Sequence, residues 1–446
     1  MFTFIKNILT EKISMNIQQS YTDSIGKINY FFALVLAFSL ALPTQIIIIS
    51  WLGWLITWVL EGRFLSLKNF SFNKNKIPFL LFALFFVWQV ISLKWTSNLS
   101  DGYKSLEKQI SFIAILPIVF FGVNKYYKTK LILLSLLIGT ILSLFLYYAV
   151  LLYVYNADYF YSGGNVEAWK GVFDLPFFQN YLVHLKHRLY LCTIISLSII
   201  YLPVFRKELQ FKIGKPLSVI SLVLISLLLL AYIYATGSRS NLLALMLIAG
   251  IYCFKWAWLN VNKFTVIGIS MVFILILGVT CKYHPRLKTI SVKNAITTLK
   301  TGTVTDSENY EPRMLIWNTI YESKNEFIWY GKGVGSSTNF LVEKYKEKNL
   351  FPIFIERRFS AHNQYLSTTM ELGIGGAIFL VFLFIAYPFF FKNSTKRLAF
   401  YFSFLMGFNM LTEGMLGRIE GILILLFFSL FFLWHQEEEN IKQLNS

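Results

Sequence analysis

Residues 217–235, LSVISLVLISLLLLAYIYA, decide the fold of this chain. These 19 residues contain no charge, and roughly 20 apolar residues are enough to cross the hydrocarbon core of a bilayer as a helix. Similar runs recur along all 446 residues, of which 56% are hydrophobic and 14% charged, with a mean hydropathy of +0.57. Because a soluble core needs far less apolar sequence, the pattern predicts an all-α, polytopic membrane protein.

We expect about twelve transmembrane helices in a single membrane-embedded domain, residues 1–446. The candidate spans are 28–42, 44–60, 77–93, 110–123, 131–155, 189–204, 217–235, 242–254, 264–281, 365–391, 398–411 and 422–434. Several of them are short unless their flanks are included. One large loop, 282–361, holds about 80 residues without a span. We expect this loop to have structure of its own and to carry part of an active site.

The short loops set the orientation in the membrane. With the amino terminus in the cytoplasm, the inner connections are rich in basic residues, namely Arg63, Lys68, Lys74, Lys76, Lys125, Lys128, Lys130, Arg206, Lys207, Lys212, Lys215, Lys255, Lys263, Lys392, Lys396 and Arg397. The short outer connections hold fewer. The positive-inside rule therefore predicts that both termini are cytoplasmic and that the loop 282–361 is periplasmic. The formal charge of +18 follows from this topology, and the scattered basic residues do not form the stripe that nucleic acid requires.

The chain ends in an acidic run after the last span. Glu437, Glu438 and Glu439 are consecutive and lie close to the carboxyl terminus. Charge runs at termini are usually solvated. We therefore predict a solvated end without a catalytic role.

Two arginines are candidates for binding an anion. Arg239 follows Thr236, Gly237 and Ser238 at the outer end of one span and directly precedes the next span. An anion can be bound there by two kinds of donor. The guanidinium offers paired N–H donors, and the first turn of the helix offers free backbone N–H groups. Arg313 follows a Glu-Pro pair, which is typical of a helix start. The alternative for Arg239 is an arginine that reaches the lipid headgroups from a plain turn.

His362 is the candidate for moving a proton. It lies where the large loop re-enters the membrane, next to Asn363. A neutral imidazole there could accept the proton of a sugar hydroxyl as its oxygen attacks. The alternatives are a helix-capping or interfacial histidine. Metal binding is not expected, because no carboxylate or second histidine has suitable spacing.

Other polar residues near the outer surface are weaker candidates. Lys186, His187 and Arg188 crowd the outer end of the sixth span, where they could extend a phosphate site or anchor the helix in the interface. Glu371 and Glu413 lie in or at the ends of spans, where an acid is either functional or paired with a nearby arginine. Their role stays open.

The order and flanks of these segments resemble the O-antigen ligase and polymerase superfamily of membrane glycan-transfer enzymes. The matching features are the sequence TGSR at 236–239, an arginine shortly before Trp317, the glycine-rich 331–335, and Ala-His-Asn at 361–363 before a helix that contains three glycines. The glycine-rich turn lacks the ending of a nucleotide-binding loop. The resemblance covers roughly the second half of the chain.

The resemblance implies a function and a division of roles. Arg239 and Arg313 would bind the pyrophosphate of an undecaprenyl-linked glycan donor. From their position in the sequence, Arg188, His187, Lys186 and Asn363 are weaker candidates for binding the same pyrophosphate. His362 would assist the acceptor hydroxyl. The implied reaction is a metal-independent, inverting transfer without a cofactor, from the lipid-linked donor to the lipid A-core of lipopolysaccharide, at the periplasmic face of the bacterial inner membrane.

The sequence leaves two other functions open. A polysaccharide polymerase of the same superfamily would use the same donor and extend another lipid-linked glycan. A transporter would place its ionisable residues near the bilayer midplane on broken, repeated helices. In this chain the candidate residues lie at outer helix ends or in the loop, and no repeat is visible.

Overall fold

A computed structural model describes residues 2–161, 186–262, 264–266, 268, 270–272, 275, 278, 292–302 and 311–444. Within these ranges every regular element is a helix, which confirms the predicted all-α class. The helices are α1 (Phe2–Ser39), α2 (Thr44–Glu61), α3 (Ile77–Ser92), α4 (Leu99–Gln109), α5 (Ser111–Ala114), α6 (Leu116–Phe121), α7 (Thr129–Tyr161), α8 (Arg188–Tyr201), α9 (Arg206–Ile213), α10 (Lys215–Thr236), α11 (Arg239–Asn260), α12 (Val292–Thr301), α13 (Pro312–Glu322), α14 (Ser337–Glu347), α15 (Pro352–Glu356), α16 (Gln364–Ala386), α17 (Asn393–Met410) and α18 (Ile419–Leu444).

Eight of the twelve predicted spans coincide with helical segments that are long and apolar enough to cross a membrane. Of the other four, 28–42 lies almost wholly within α1 and 398–411 lies mostly within the eighteen-residue α17. The span 264–281 falls largely outside the described residues. The span 110–123 consists of two short helices, α5 and α6, because Pro117 cannot continue a regular hydrogen-bond ladder.

The last helix forms the centre of the bundle. Every apolar residue of α18 between Ile422 and Trp434 is at most 4% exposed. In its apolar window 83% of residues are buried, against 17% for α10. A helix that is apolar all round must be surrounded either by other helices or by lipid. Helix α18 is therefore surrounded by protein, whereas α10 turns most of its surface outwards.

The described part of the large loop has a small apolar core of its own. Leu315, Ile316 and Ile320 on one face of α13 pack with residues of α14, α15, α16 and the segments before α14 and α16, namely Phe327, Phe340, Leu341, Tyr345, Phe354, Ala361 and Met370. The helix start predicted at the Glu-Pro pair is thus present, and one apolar face of the helix is buried in this core. Helix α13 is held against the bundle by packing.

The glycine-rich turn 331–335 docks against a break in α16. Gly373 has φ 75° and interrupts the helix, which frees backbone groups on both sides. The carbonyls of Met370 and Glu371 accept from the N–H groups of Lys332 and Gly333 at 2.8 and 2.9 Å. Glu371 also accepts from the hydroxyl of Ser337 at 2.6 Å and so stabilises the start of α14. These contacts assign Glu371 a structural role.

The prediction of a solvated carboxyl-terminal end is wrong for the acidic run. Helix α18 continues to Leu444, and the carboxylate of Glu438 accepts from the N–H and hydroxyl of Thr129 at 3.0 and 2.6 Å. Glu439 accepts from the hydroxyl of Thr395 at 2.9 Å. Thr129 and Thr395 lie in the first turns of α7 and α17, where the helix dipole favours a negative charge. The acidic run therefore stabilises the first turns of α7 and α17.

Candidate active site

Buried amides join the starts of two helices to the end of a third. Asn241, in the first turn of α11, donates to the hydroxyl of Ser238 at 3.0 Å and to the carbonyl of Leu189 in α8 at 3.3 Å. Asn409, near the end of α17, donates to Asn241 and to Thr193, both at 3.0 Å. Both amides are fully buried, so water does not compete for these bonds. The network holds α8, α11 and α17 in fixed positions relative to one another.

Three arginines in the first turns of three helices converge beside this network. Arg188 is the first residue of α8, Arg239 the first of α11 and Arg313 the second of α13. Arg188 lies within electrostatic range of both Arg239 and Arg313. Helix starts already carry a partial positive charge. Like charges gathered there repel one another, and an anion bound between them would remove the repulsion.

A carboxylate from the large loop contacts one of these arginines. The Oε2 atom of Glu311 lies 3.3 Å from Nη1 of Arg239. The side chains of Arg239 and Glu311 are 28% and 18% exposed, so the pair is partly shielded from water. Arg313 makes no ion pair with a carboxylate in the described ranges. The contact joins the start of α13 to the start of α11.

His362 stands next to a second carboxylate. Its Nδ1 atom lies 3.4 Å from Oε1 of Glu413, a long and poorly aligned contact that is mainly electrostatic. Burial would raise the pKa of Glu413, but its contact with His362 and the nearby charges of His187 and Arg313 lower the pKa to about 2. Glu413 is therefore a carboxylate at any working pH, and it can hold the imidazole in one orientation.

The backbone at His362 is constrained from two sides. His362 has φ 46°, a left-handed conformation that is costly for a residue with a side chain. The indole N–H of Trp317 donates to the carbonyl of Ala361 at 2.9 Å. Gln364 accepts from the N–H of Leu416 at 2.8 Å, close to Glu413 in the chain. The surrounding bonds thus hold a strained residue in place, which is typical of functional sites.

Two of the weaker candidates, Lys186 and Asn363, have other partners. Lys186 is 2% exposed and donates to the carbonyls of Leu42 and Leu40 at 2.8 and 3.3 Å. Burial lowers the pKa of Lys186 to about 8, against the opposing charge of Glu420. Asn363 caps α16 by accepting from the N–H of Leu366 at 3.1 Å. These contacts give Lys186 and Asn363 structural roles outside the candidate site.

The third weaker candidate, His187, lies next to the arginine cluster. It is the residue before α8, and its Nδ1 atom is buried without a hydrogen-bond partner among the described residues. Burial lowers the pKa of His187, and the positive charges of Arg418 and Arg188 act in the same direction, while Glu413 and Glu420 oppose them. His187 is therefore favoured in its neutral form. Its phosphate-binding role stays a prediction.

Sequence reasoning missed three features of this region. From the sequence, Glu311 was expected only to mark a helix start, and its contact with Arg239 was not foreseen. The available signal was the position of an acid two residues before the candidate Arg313, which indicates charge pairing in this region. Glu413 had no assigned partner. Asn241 was recognisable only as a possible helix cap, and its bonds to Leu189 and Asn409 had no signal in the sequence.

Comparison with known families supports the resemblance noted in the sequence. The family model described as O-antigen ligase matches residues 224–381. Arg239, Arg313 and His362 all lie inside the matched range, whereas Arg188 and Glu413 lie outside it. A comparison with curated proteins gives no match. The match covers about a third of the chain and supports the predicted resemblance to the O-antigen ligase superfamily, and it does not separate ligases from polymerases.

Proposed function

We propose that this protein is an O-antigen ligase-like enzyme that transfers a glycan from an undecaprenyl-pyrophosphate carrier to the lipid A-core of lipopolysaccharide. The transfer is inverting, needs no metal ion, and takes place at the periplasmic face of the bacterial inner membrane. A hydroxyl of the acceptor attacks the anomeric carbon, and undecaprenyl pyrophosphate leaves from the opposite side.

The observation that carries this proposal is the convergence of Arg188, Arg239 and Arg313 at three helix starts. A departing pyrophosphate spreads negative charge over several oxygens, and planar guanidiniums bind such oxygens in pairs. Groups positioned in advance of the reaction stabilise the charge that develops in the transition state. The cluster therefore supplies the stabilisation that a metal ion provides in other transferases.

His362 is the proposed general base. Its side chain is 33% exposed, so a substrate hydroxyl can reach it. Glu413 contacts Nδ1, which leaves Nε2 as the nitrogen that accepts the proton. The proton moves from the hydroxyl to the imidazole while the oxygen forms its bond to the sugar. Glu413 stabilises the resulting imidazolium, as the aspartate of a Ser-His-Asp triad does for its histidine.

The test is the product made by the purified protein. The enzyme, reconstituted in vesicles, is offered a lipid-linked glycan together with lipid A-core. Formation of glycan-bearing lipid A-core supports the ligase function. Formation of a longer lipid-linked glycan instead would assign the polymerase function to the same residues. Absence of both products, from a folded protein and with several glycans, would contradict the proposal.

A further inference from the structure

Glu311 has an unusual position for an acid before a helix. It is the residue that precedes α13, where an acidic side chain normally accepts hydrogen bonds from the free N–H groups of the first turn. Its side chain makes no such bond, and the backbone at Glu311 is extended, with φ −93° and ψ 109°. The carboxylate lies instead 3.3 Å from Arg239. Its contact is thus with the proposed anion site and not with its own helix.

The proposed reaction raises the charge of the bound pyrophosphate. In the donor, the sugar esterifies the outer phosphate. When the bond between the anomeric carbon and the phosphate oxygen breaks, its electron pair stays on that oxygen, while the acceptor proton goes to His362. The product therefore carries one more ionisable oxygen than the donor and binds cations more strongly. Three converging arginines would retain it.

We propose that Glu311 competes with pyrophosphate for Arg239 and thereby sets how readily the product leaves the site. This inference rests on the proposed function. With the site empty, the carboxylate neutralises Arg239. A bound pyrophosphate takes over the guanidinium donors, and Glu311 regains them as the product departs. Because the pair is partly shielded from water, the competition is stronger than between fully exposed charges.

The experiment measures binding of farnesyl pyrophosphate, a short prenyl pyrophosphate, to the purified full-length protein. The Glu311→Gln variant removes the charge and retains the shape of the side chain. We expect it to bind the probe roughly three- to tenfold more tightly than the wild type. We also expect it to complete a first turnover normally and then to turn over more slowly, because product release has become limiting.

A matched control is available on the same helix. Glu322 lies at the last position of α13 and pairs with Lys348, away from the arginines. The Glu322→Gln variant changes the net charge equally and should bind the probe as the wild type does. A general effect of charge would tighten binding in both variants, and that result would overturn the proposal.

A second pair of variants separates this inference from the proposed function. In an Arg239→Gln background, Glu311→Gln should no longer tighten binding, since the guanidinium for which they compete is gone. If Arg239→Gln weakens binding while Glu311→Gln alone leaves it unchanged or weaker, the pyrophosphate site stands and the competition does not. If Arg239→Gln leaves binding unchanged, the proposed pyrophosphate site itself is wrong, and the role of Glu311 falls with it.

Discussion

The indole N–H of Trp317 donates to the carbonyl oxygen of Ala361 at 2.9 Å. Trp317 lies one turn after Arg313 on α13, and Ala361 directly precedes His362. One hydrogen bond thus joins the helix that carries a candidate phosphate ligand to the backbone of the candidate base. The contact gives a physical reason for the spacing of Arg313 and Trp317, because one helical turn places both on the side of α13 that faces the backbone before His362.

Loss of that hydrogen bond should impair transfer more than folding. Trp317→Phe retains an aromatic ring but removes the donor, and we expect the transfer rate to fall about three- to tenfold, in line with the loss of one hydrogen bond. Trp329→Phe is the control, because Trp329 is 73% exposed. Rates measured at equal expression test the prediction. Equal rates in both variants would show that the hydrogen bond from Trp317 to Ala361 does not position the site.

The arginines should not tolerate lysine. If Arg239 and Arg313 bind a pyrophosphate by paired hydrogen bonds, Arg239→Lys and Arg313→Lys each lose most activity although the charge is retained. Arg357→Lys, at an exposed position of the large loop, should remain active. Initial rates with a lipid-linked glycan measure the effect. Turnover like that of the wild type in both site variants would reduce these arginines to a topological or packing role.

His362 should control the rate and the pH dependence of transfer. His362→Ala is expected to lower the rate on the order of a hundredfold or more while donor binding stays largely intact. The wild-type rate should fall on acidification, because a protonated imidazole cannot accept the hydroxyl proton. A variant that transfers normally but binds the donor poorly would instead make His362 a phosphate ligand.

Glu413 should not cause that loss on acidification. Its pKa is lowered to about 2, so the carboxylate stays ionised down to that pH and accepts no proton in the range where the rate falls. Glu413→Gln should therefore lower the rate but retain a loss of activity at acidic pH. The pH profile of the variant checks this. A profile that becomes flat would assign the titration to Glu413.

The orientation in the membrane is open to direct labelling. In a background without the three native cysteines, Lys346→Cys in the large loop should react with a membrane-impermeant thiol reagent in intact spheroplasts. Lys207→Cys in α9 should react only after lysis, because the charge pattern places that connection in the cytoplasm. Both positions are exposed. The opposite pattern would place the candidate site on the wrong face for a periplasmic acceptor.

The break in α16 should require glycine. A Cβ atom at Gly373 would lie 2.2 Å from the carbonyl oxygen of Trp329, and the φ of 75° disfavours any other residue. Gly373→Ala is therefore expected to destabilise the protein by at least about 2 kcal/mol. Gly417→Ala is the control, because a Cβ there meets nothing within 4 Å. Thermal unfolding in detergent measures the stability of both variants. Equal stability of the two would contradict the requirement for glycine at position 373.

The amino-acid sequence alone determined the fold class, eight of the spans and the choice of Arg239, Arg313 and His362 as candidates. Length and apolar composition suffice for the fold class and the spans, because a helix that crosses a bilayer must satisfy its backbone within one continuous segment. The three candidates followed from short motifs at the helix ends and from their order along the chain. The helix start at Pro312 was equally local. Short-range patterns of this kind survive in any tertiary context.

Only the tertiary structure decided which polar groups meet. The contact of Glu311 with Arg239 spans 72 residues of sequence, and the contact of His362 with Glu413 joins the start of α16 to the loop after α17. Which helix is central, as α18 is, also depends on packing, since lipid and protein are equally apolar neighbours for such a helix. Pairing between distant residues depends on how the helices assemble, and a single sequence carries no local signal of that assembly.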